Sequence, residues 1–165
     1  MLIRSVTSED WPDIARIWQQ GIDSKISTFR AKVTSWDEWN NAHDLACRRV
    51  AVIDDHVVAW AAITPHGGSF AYHGVGEISI YVDSQYHHRG IATSLLQDLI
   101  NCAEQHEYWM MEAIVLSENK ASLALFSKCG FRMVGRRELI CCTPDNIWHD
   151  SIIMEYRSHK LYYHV

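Results

Sequence analysis

One stretch in the middle of the chain constrains its fold more than any other. It runs Glu77-Ile78-Ser79-Ile80-Tyr81-Val82, then Asp83-Ser84-Gln85-Tyr86-His87-His88-Arg89, then Gly90-Ile91-Ala92-Thr93. The first segment has the composition and partial alternation of a strand. The last opens a helix to about Gln105, with Ala92, Leu95, Leu96, Leu99 and Ala103 as its apolar stripe. The first N–H groups of such a helix lack partners, and its positive dipole end attracts an anion. Gly90 and Ala92 keep side-chain bulk away, so a phosphate can approach the backbone. Arg89 adds a positive charge beside it. Taken alone, the segment is equally compatible with an ordinary strand–helix connection. A Walker lysine pattern and a GxGxxG run are both missing, which disfavours P-loop and Rossmann readings.

The flanking sequence supplies the other elements. Leu2 to Val6 reads as a strand. Thr7 then caps a helix with Asp10 three residues on, and Trp11, Ile14, Ala15, Trp18 and Ile22 form its apolar face. Gly21 is expected to loosen the end of that helix. Ser35-Trp36-Asp37-Glu38 is a capping-box pattern that opens a second helix to about Ala46. Arg49–Ile53 and Val57–Thr64 flank Asp54-Asp55-His56 as a hairpin. Pro65-His66-Gly67-Gly68 starts a loop. Trp109 to Leu116 reads as a strand, Asn119 to Lys128 as a helix ended by Gly130. Phe131–Cys142 and Trp148–Tyr156 read as strands joined by a turn at Pro144-Asp145-Asn146. Hairpins early and strand–helix–strand later indicate an α+β or α/β chain, its sheet mostly antiparallel with one parallel crossover.

Composition bounds the function classes. A chain of 165 residues, 48% hydrophobic and 21% charged, suits one compact domain spanning 1–165. No apolar run is long enough to span a membrane. A net charge of −5 argues against nucleic acid as a partner. The opening residues reach Glu9 and Asp10 early and do not read as a signal peptide, so a cytoplasmic location is expected. The 5 cysteines show no CxxC spacing and are expected as reduced thiols. The 10 histidines include no pair at i,i+4, so no metal site is expected.

Placed in this context, His87-His88-Arg89-Gly90-Ile91-Ala92 resembles the acyl-CoA pyrophosphate motif of the GNAT superfamily, Gln/Arg-x-x-Gly-x-Gly/Ala, with His87 at the usual Gln or Arg position. Asn119-Lys120-Ala121-Ser122-Leu123-Ala124-Leu125-Phe126 through Gly130-Phe131 is similar to a second GNAT motif. The resemblance covers nearly the whole chain. Ser27-Thr28-Phe29-Arg30, Trp36 to Trp39, Glu77 to Val82 and Trp148-His149-Asp150 are similar to the phosphinothricin/methionine sulfoximine acetyltransferase branch. The resemblance implies the GNAT fold: a mixed, mostly antiparallel sheet of about six to seven strands, flanked by about four helices. Two parallel strands splay apart at a bulge near Ile80. It also implies acetyl-CoA as co-substrate without a metal, a small-molecule amine as acceptor, and a homodimer.

Site residues follow. Glu77 is the candidate catalytic base, a carboxylate able to take a proton from an ammonium. His149 is a second catalytic candidate, able to orient the substrate or shuttle protons. Backbone at Ile80, Tyr81 and Val82 is expected along the pantetheine arm, where an N–H polarises the thioester carbonyl. His87, His88, Arg89, Gly90, Ile91, Ala92 and Thr93 are expected around the pyrophosphate. Asn119, Ser122 and Phe126 also belong to the cofactor set. Phe126 stands where many relatives carry a tyrosine acid, and it can donate no proton. Phe29, Arg30, His73, Gly74 and Val75 are expected to line the acceptor pocket, Arg30 as a fork for a substrate carboxylate. Acetylation of protein N-termini, ribosomal proteins or polyamines, or non-catalytic acyl-CoA binding, stay open as alternatives.

Overall fold

The structure, a computed structural model, describes residues 1–143 and 145–161. Strands β1 (Leu2–Ser5), β2 (Arg48–Ile53), β3 (His56–Pro65) and β4 (Val75–Val82) pair antiparallel in succession. β5 (Met110–Leu116) runs parallel to β4. β7 (Trp148–Arg157) pairs antiparallel with β5, and β6 (Arg132–Cys142) with β7. The resulting sheet has 7 strands in the order β1-β2-β3-β4-β5-β7-β6. Helices α1 (Trp11–Asp23), α2 (Trp36–Ala42), α3 (Ile91–Gln105) and α4 (Lys120–Lys128) cover it. The mixed, mostly antiparallel sheet of the sequence reading is thus present. Its one parallel pair exists because α3 carries the chain from the end of β4 back to the start of β5. Among the described residues, no helix is long and apolar enough to cross a membrane.

Strand alternation divides the side chains between two cores. Ala59, Ala61 and Ile63 of β3, Ile78 of β4 and Met111, Ala113 and Val115 of β5 pack with Leu95, Leu96 and Leu99 of α3. Trp60 and Ala62, on the opposite face of β3, pack with Ile14, Ile17 and Trp18 of α1 and Trp39 of α2, and Tyr81 of β4 packs against this group. Glu77 and Ser79 alternate with Ile78 and therefore share the face of Tyr81.

The register of the parallel pair creates the site. β4 and β5 match only at Val75↔Met110, Gly76↔Met111 and Glu77↔Glu112. Beyond that rung β4 stays with β3 and β5 stays with β7, so the two strands part and leave a cleft. The splay needs no bulge in β4. Its pairing with β3 is unbroken from Pro65↔Gly76 to Ala59↔Val82, which corrects the bulge expected near Ile80.

Local chemistry accounts for most element ends. Asp54 and Asp55 both have positive φ, the conformation of a tight hairpin turn. The Ser35–Glu38 capping box forms, with the Glu38 N–H donating to the Ser35 hydroxyl and the Ser35 N–H to the Glu38 carboxylate. α2 stops at Ala42 rather than Ala46. His43 is extended, and the Asp44 N–H donates to the Ile63 carbonyl, which ties the chain to the sheet. Gly21 does not loosen α1, which continues to Asp23. A Cβ there would meet the Tyr81 ring at 2.7 Å, so the glycine serves packing. Pro144 and the Tyr162-Tyr163 tail lie outside the described residues.

Candidate active site

The cleft holds two adjoining cavities, of about 390 Å³ and about 270 Å³. Ser27, Ile80, Asn119 and Ser122 belong to the walls of both. The smaller cavity lies against the turn between β4 and α3, the larger between the splayed strands.

The smaller cavity is lined by Val82, Tyr86, His87, His88, Gly90, Ile91, Ala92 and Thr93. Gly90 is the residue preceding α3, with φ 78, and no side chain caps that helix start. A Cβ built on Gly90 would meet nothing within 4 Å and would project into open space. The start of α3 therefore presents bare amides to a cavity, a cradle suited to an anion. α4 begins differently: the Asn119 side-chain Oδ1 accepts from the Ser122 N–H at 3.0 Å and caps the helix itself. The turn is braced from behind. Asp83 accepts from the Gln85 N–H and pairs with Arg16, and the His87 ring bonds the Val82 carbonyl at 3.0 Å. Arg89 lies over the Tyr86 ring at 4.9 Å and is not part of the cavity wall.

The larger cavity has a different character. Trp18, Trp60 and Tyr81 form an aromatic end, with Trp60 and Tyr81 stacked at 4.8 Å. Glu77 and Thr64, paired across β4 and β3, form the other end, and Ser79 between them leaves space. Phe29 and Arg30 of the loop after α1 close one side, with Arg30 over the Trp18 ring at 5.6 Å. Phe126 is buried in the wall, edge-on to Phe131. Among the described residues, the ionisable groups of this wall are Arg30, His43, Glu77 and Tyr81.

Their protonation follows from their surroundings. Glu77 faces the cavity, whose walls desolvate it only in part, since the residue remains exposed to solvent. That desolvation and the neighbouring Glu112 carboxylate raise its pKa above the usual carboxylate range, against the opposing pull of Arg30 and His66. His43 is depressed to about 4, chiefly by burial, and is neutral near pH 7. Its Nδ1 donates to the Trp39 carbonyl at 2.7 Å, which fixes the tautomer and leaves Nε2 as an acceptor. Burial also raises the Tyr81 phenol.

Several sequence candidates lie elsewhere. His73 stacks on Phe70 and meets Trp109 edge-on, and lines neither cavity. Gly74 is needed because a Cβ would meet the Trp109 ring at 2.1 Å. Val75 is buried at the start of β4, on the side of the rungs away from the cleft. His149 also lines neither cavity; its Nδ1 lies 3.2 Å from the Glu118 carboxylate. Asp150 beside it binds Arg136 and the Leu139 N–H. Nothing in the sequence marks Trp18, His43 and Trp60 for the cavity wall, because long-range pairing brings them there; Glu112 is in register with Glu77 but lines neither cavity. A second omission lies outside the cleft. Cys47, Cys102 and His106 bring their ligand atoms within 4.8 Å of one another, a cysteine–histidine grouping that the sequence reading did not expect.

The chain matches the family model described as "Acetyltransferase (GNAT) family" over residues 8–131. A Bacillus subtilis (strain 168) protein named "Putative phosphinothricin acetyltransferase YwnH" is 31% identical over 137 residues, covering 79% of this chain and 83% of its own. This chain belongs to the GNAT acetyltransferase family. Solved GNAT structures share its fold. An N-acetyltransferase from Staphylococcus aureus Mu50 is 26% identical, with 94% and 97% of the two chains covered and a TM-score of 0.84. A phosphinothricin acetyltransferase from Sinorhizobium meliloti, solved in complex with AcCoA, is 21% identical, with 94% and 87% covered and a TM-score of 0.84.

Proposed function

We propose that this GNAT enzyme moves the acetyl group of acetyl-coenzyme A to the primary amine of a small molecule, an amino acid or analogue of the phosphinothricin or methionine sulfoximine type. The observation that carries this reading is the position of Glu77. It stands on the last rung before β4 and β5 part, with its carboxylate in the larger cavity and the amide cradle of α3 beyond the far end of the same strand.

The residues present fit the carrier. The bare amides from Ile91 to Thr93 and the open space at Gly90 suit its diphosphate. The edge of β4 beyond Glu77, left without a β5 partner, offers main-chain donors and acceptors to an extended arm. Acetyl-coenzyme A supplies a thioester, whose thiol is a workable leaving group without a strong acid because thiol pKa values lie near ~8.5. Glu77, with its raised pKa, takes the proton from the acceptor ammonium, breaking N–H and forming O–H, and the freed lone pair attacks the thioester carbon directly; C–N forms, C–S breaks, and the departing thiolate takes up the second proton that the nitrogen loses. An N–H on the open β4 edge holds the charge that develops on the carbonyl oxygen. Arg30 pairs with an acceptor carboxylate. Holding both reactants in adjoining cavities removes much of the entropic barrier.

The apolar side chains exposed on the β6 edge, Met133, Val134, Leu139 and Ile140, support a homodimer through this edge. Light scattering after chromatography should give twice the chain mass. A monomer at micromolar concentration would count against the dimer. Release of free thiol in the presence of a panel of amino acids and analogues, methionine sulfoximine included, tests the activity. Release independent of every amine would remove the acetyltransfer reading.

A further inference from the structure

We infer that Glu112 is a positioning residue of the same site: its carboxylate, one rung across the sheet from Glu77, tunes Glu77 for proton removal. This rests on the reading of Glu77 as the base. The geometry is the in-register pair Glu77↔Glu112, the final rung of the parallel ladder. Adjacent strands are about 4.8 Å apart, and partners in register project from one face. Met111 and Ala113 on either side of Glu112 enter the core under α3, so Glu112 projects to the face of Glu77 and Ser79.

Like charges facing each other across strands destabilise a sheet, and here the arrangement extends over three strands. Glu112 is also in register with Glu155 of β7. Glu155 has its own cation, accepting from Arg132 at 2.9 and 2.6 Å. Glu112 has no hydrogen bond or ion pair among the described residues, so no directly bonded cation offsets its repulsion of Glu77. The groups that face Glu77 are Glu112 from β5, Arg30 from the loop after α1, His66 from the loop after β3 and Tyr81 from β4, with neutral His43 in the same wall. Only Glu112 among these adds negative charge near neutral pH. Repulsion favours the protonated form of Glu77 and so makes its anion the more avid base. Once Glu77 holds the proton, one of the two repelling charges is gone, and Glu77, itself exposed, passes that proton to water.

The test is the pH profile of kcat/KM with methionine sulfoximine as acceptor, for the wild type and for Glu112→Gln, Glu112→Asp and Glu77→Gln. Glu112→Gln should move the acid limb to lower pH by about half a unit to one unit. Glu112→Asp, which keeps the charge, should leave the limb near its wild-type position. Acetyl-coenzyme A affinity should be the same in all four. An unmoved limb in Glu112→Gln, with Glu77→Gln inactive, overturns the inference and leaves the base assignment standing. Wild-type turnover in Glu77→Gln overturns the base assignment itself. Carbon-13 detection of the Glu77 carboxyl in the wild type gives the same answer without the amide variant. A two-step titration coupled to a neighbouring carboxylate is expected, and a single ordinary step would overturn the inference.

Discussion

The two cavities of the cleft are built from different materials. The smaller is made of main chain: the bare start of α3, a glycine at positive φ and a braced turn. The larger is made of side chains that arrive from α1, the end of α2, β3, β4 and β5. A main-chain cradle tolerates many side chains and recognises a group common to all reactions of its kind. A side-chain chamber sets what is bound beside it and when protons move.

Substitutions can separate the two. The largest effect is expected from Glu77→Gln, which should lower kcat by about 10²–10⁴-fold. Acetyl-coenzyme A affinity should be unchanged, as read by steady-state kinetics and calorimetry. A matching loss of carrier affinity would erase the distinction. Gly90→Val acts on the other cavity. The left-handed backbone costs a residue with a Cβ about 1–2 kcal/mol, and the new side chain enters the cradle. The Kd for acetyl-coenzyme A should rise about tenfold, the value of 1.4 kcal/mol of lost binding, while the acceptor KM measured at saturating carrier stays close to wild type.

Ser79→Leu sharpens the comparison from the acceptor side, since it fills the gap between the aromatic end and Glu77. Acceptor KM should rise severalfold, with carrier Kd unaltered. The smallest effect concerns His43. Its folded-state pKa of about 4 lies below the ordinary 6.5, so between these values the unfolded chain binds more protons than the folded one. The stability due to this group is present above pH 6.5 and is lost as pH falls toward 4. His43→Gln should therefore flatten the decline of the denaturation midpoint over that window. An unchanged slope would show that His43 titrates normally.

The same contrast explains what the sequence made legible. The turn through Gly90 is local: strand, polar residues, glycine and apolar helix stripe follow one another along the chain, and each has a short-range physical reason. The Asp54-Asp55 hairpin and the Ser35 capping box were readable for the same cause. Glu77 could be named because its strand runs directly into that turn. The acceptor chamber offers no such continuity. Trp18 and Trp60 read as core apolar residues, and His43 as one scattered histidine among others. The rung that sets Glu112 beside Glu77 depends on sheet register, which a crossover through α3 decides. His73 and His149 show the converse. His73 is expected in the pocket from its place just before Glu77, and His149 from its place beside Trp148, yet His73 packs on Trp109 and His149 faces Glu118, away from both cavities.

Calorimetric titration with acetyl-coenzyme A bears most directly on the division of labour within the cleft. The wild type, Glu77→Gln and Ser79→Leu should bind it saturably with similar Kd, and Gly90→Val should bind it about tenfold more weakly. Absence of saturable heat in the wild type, or a loss in Glu77→Gln as large as that in Gly90→Val, would contradict the account.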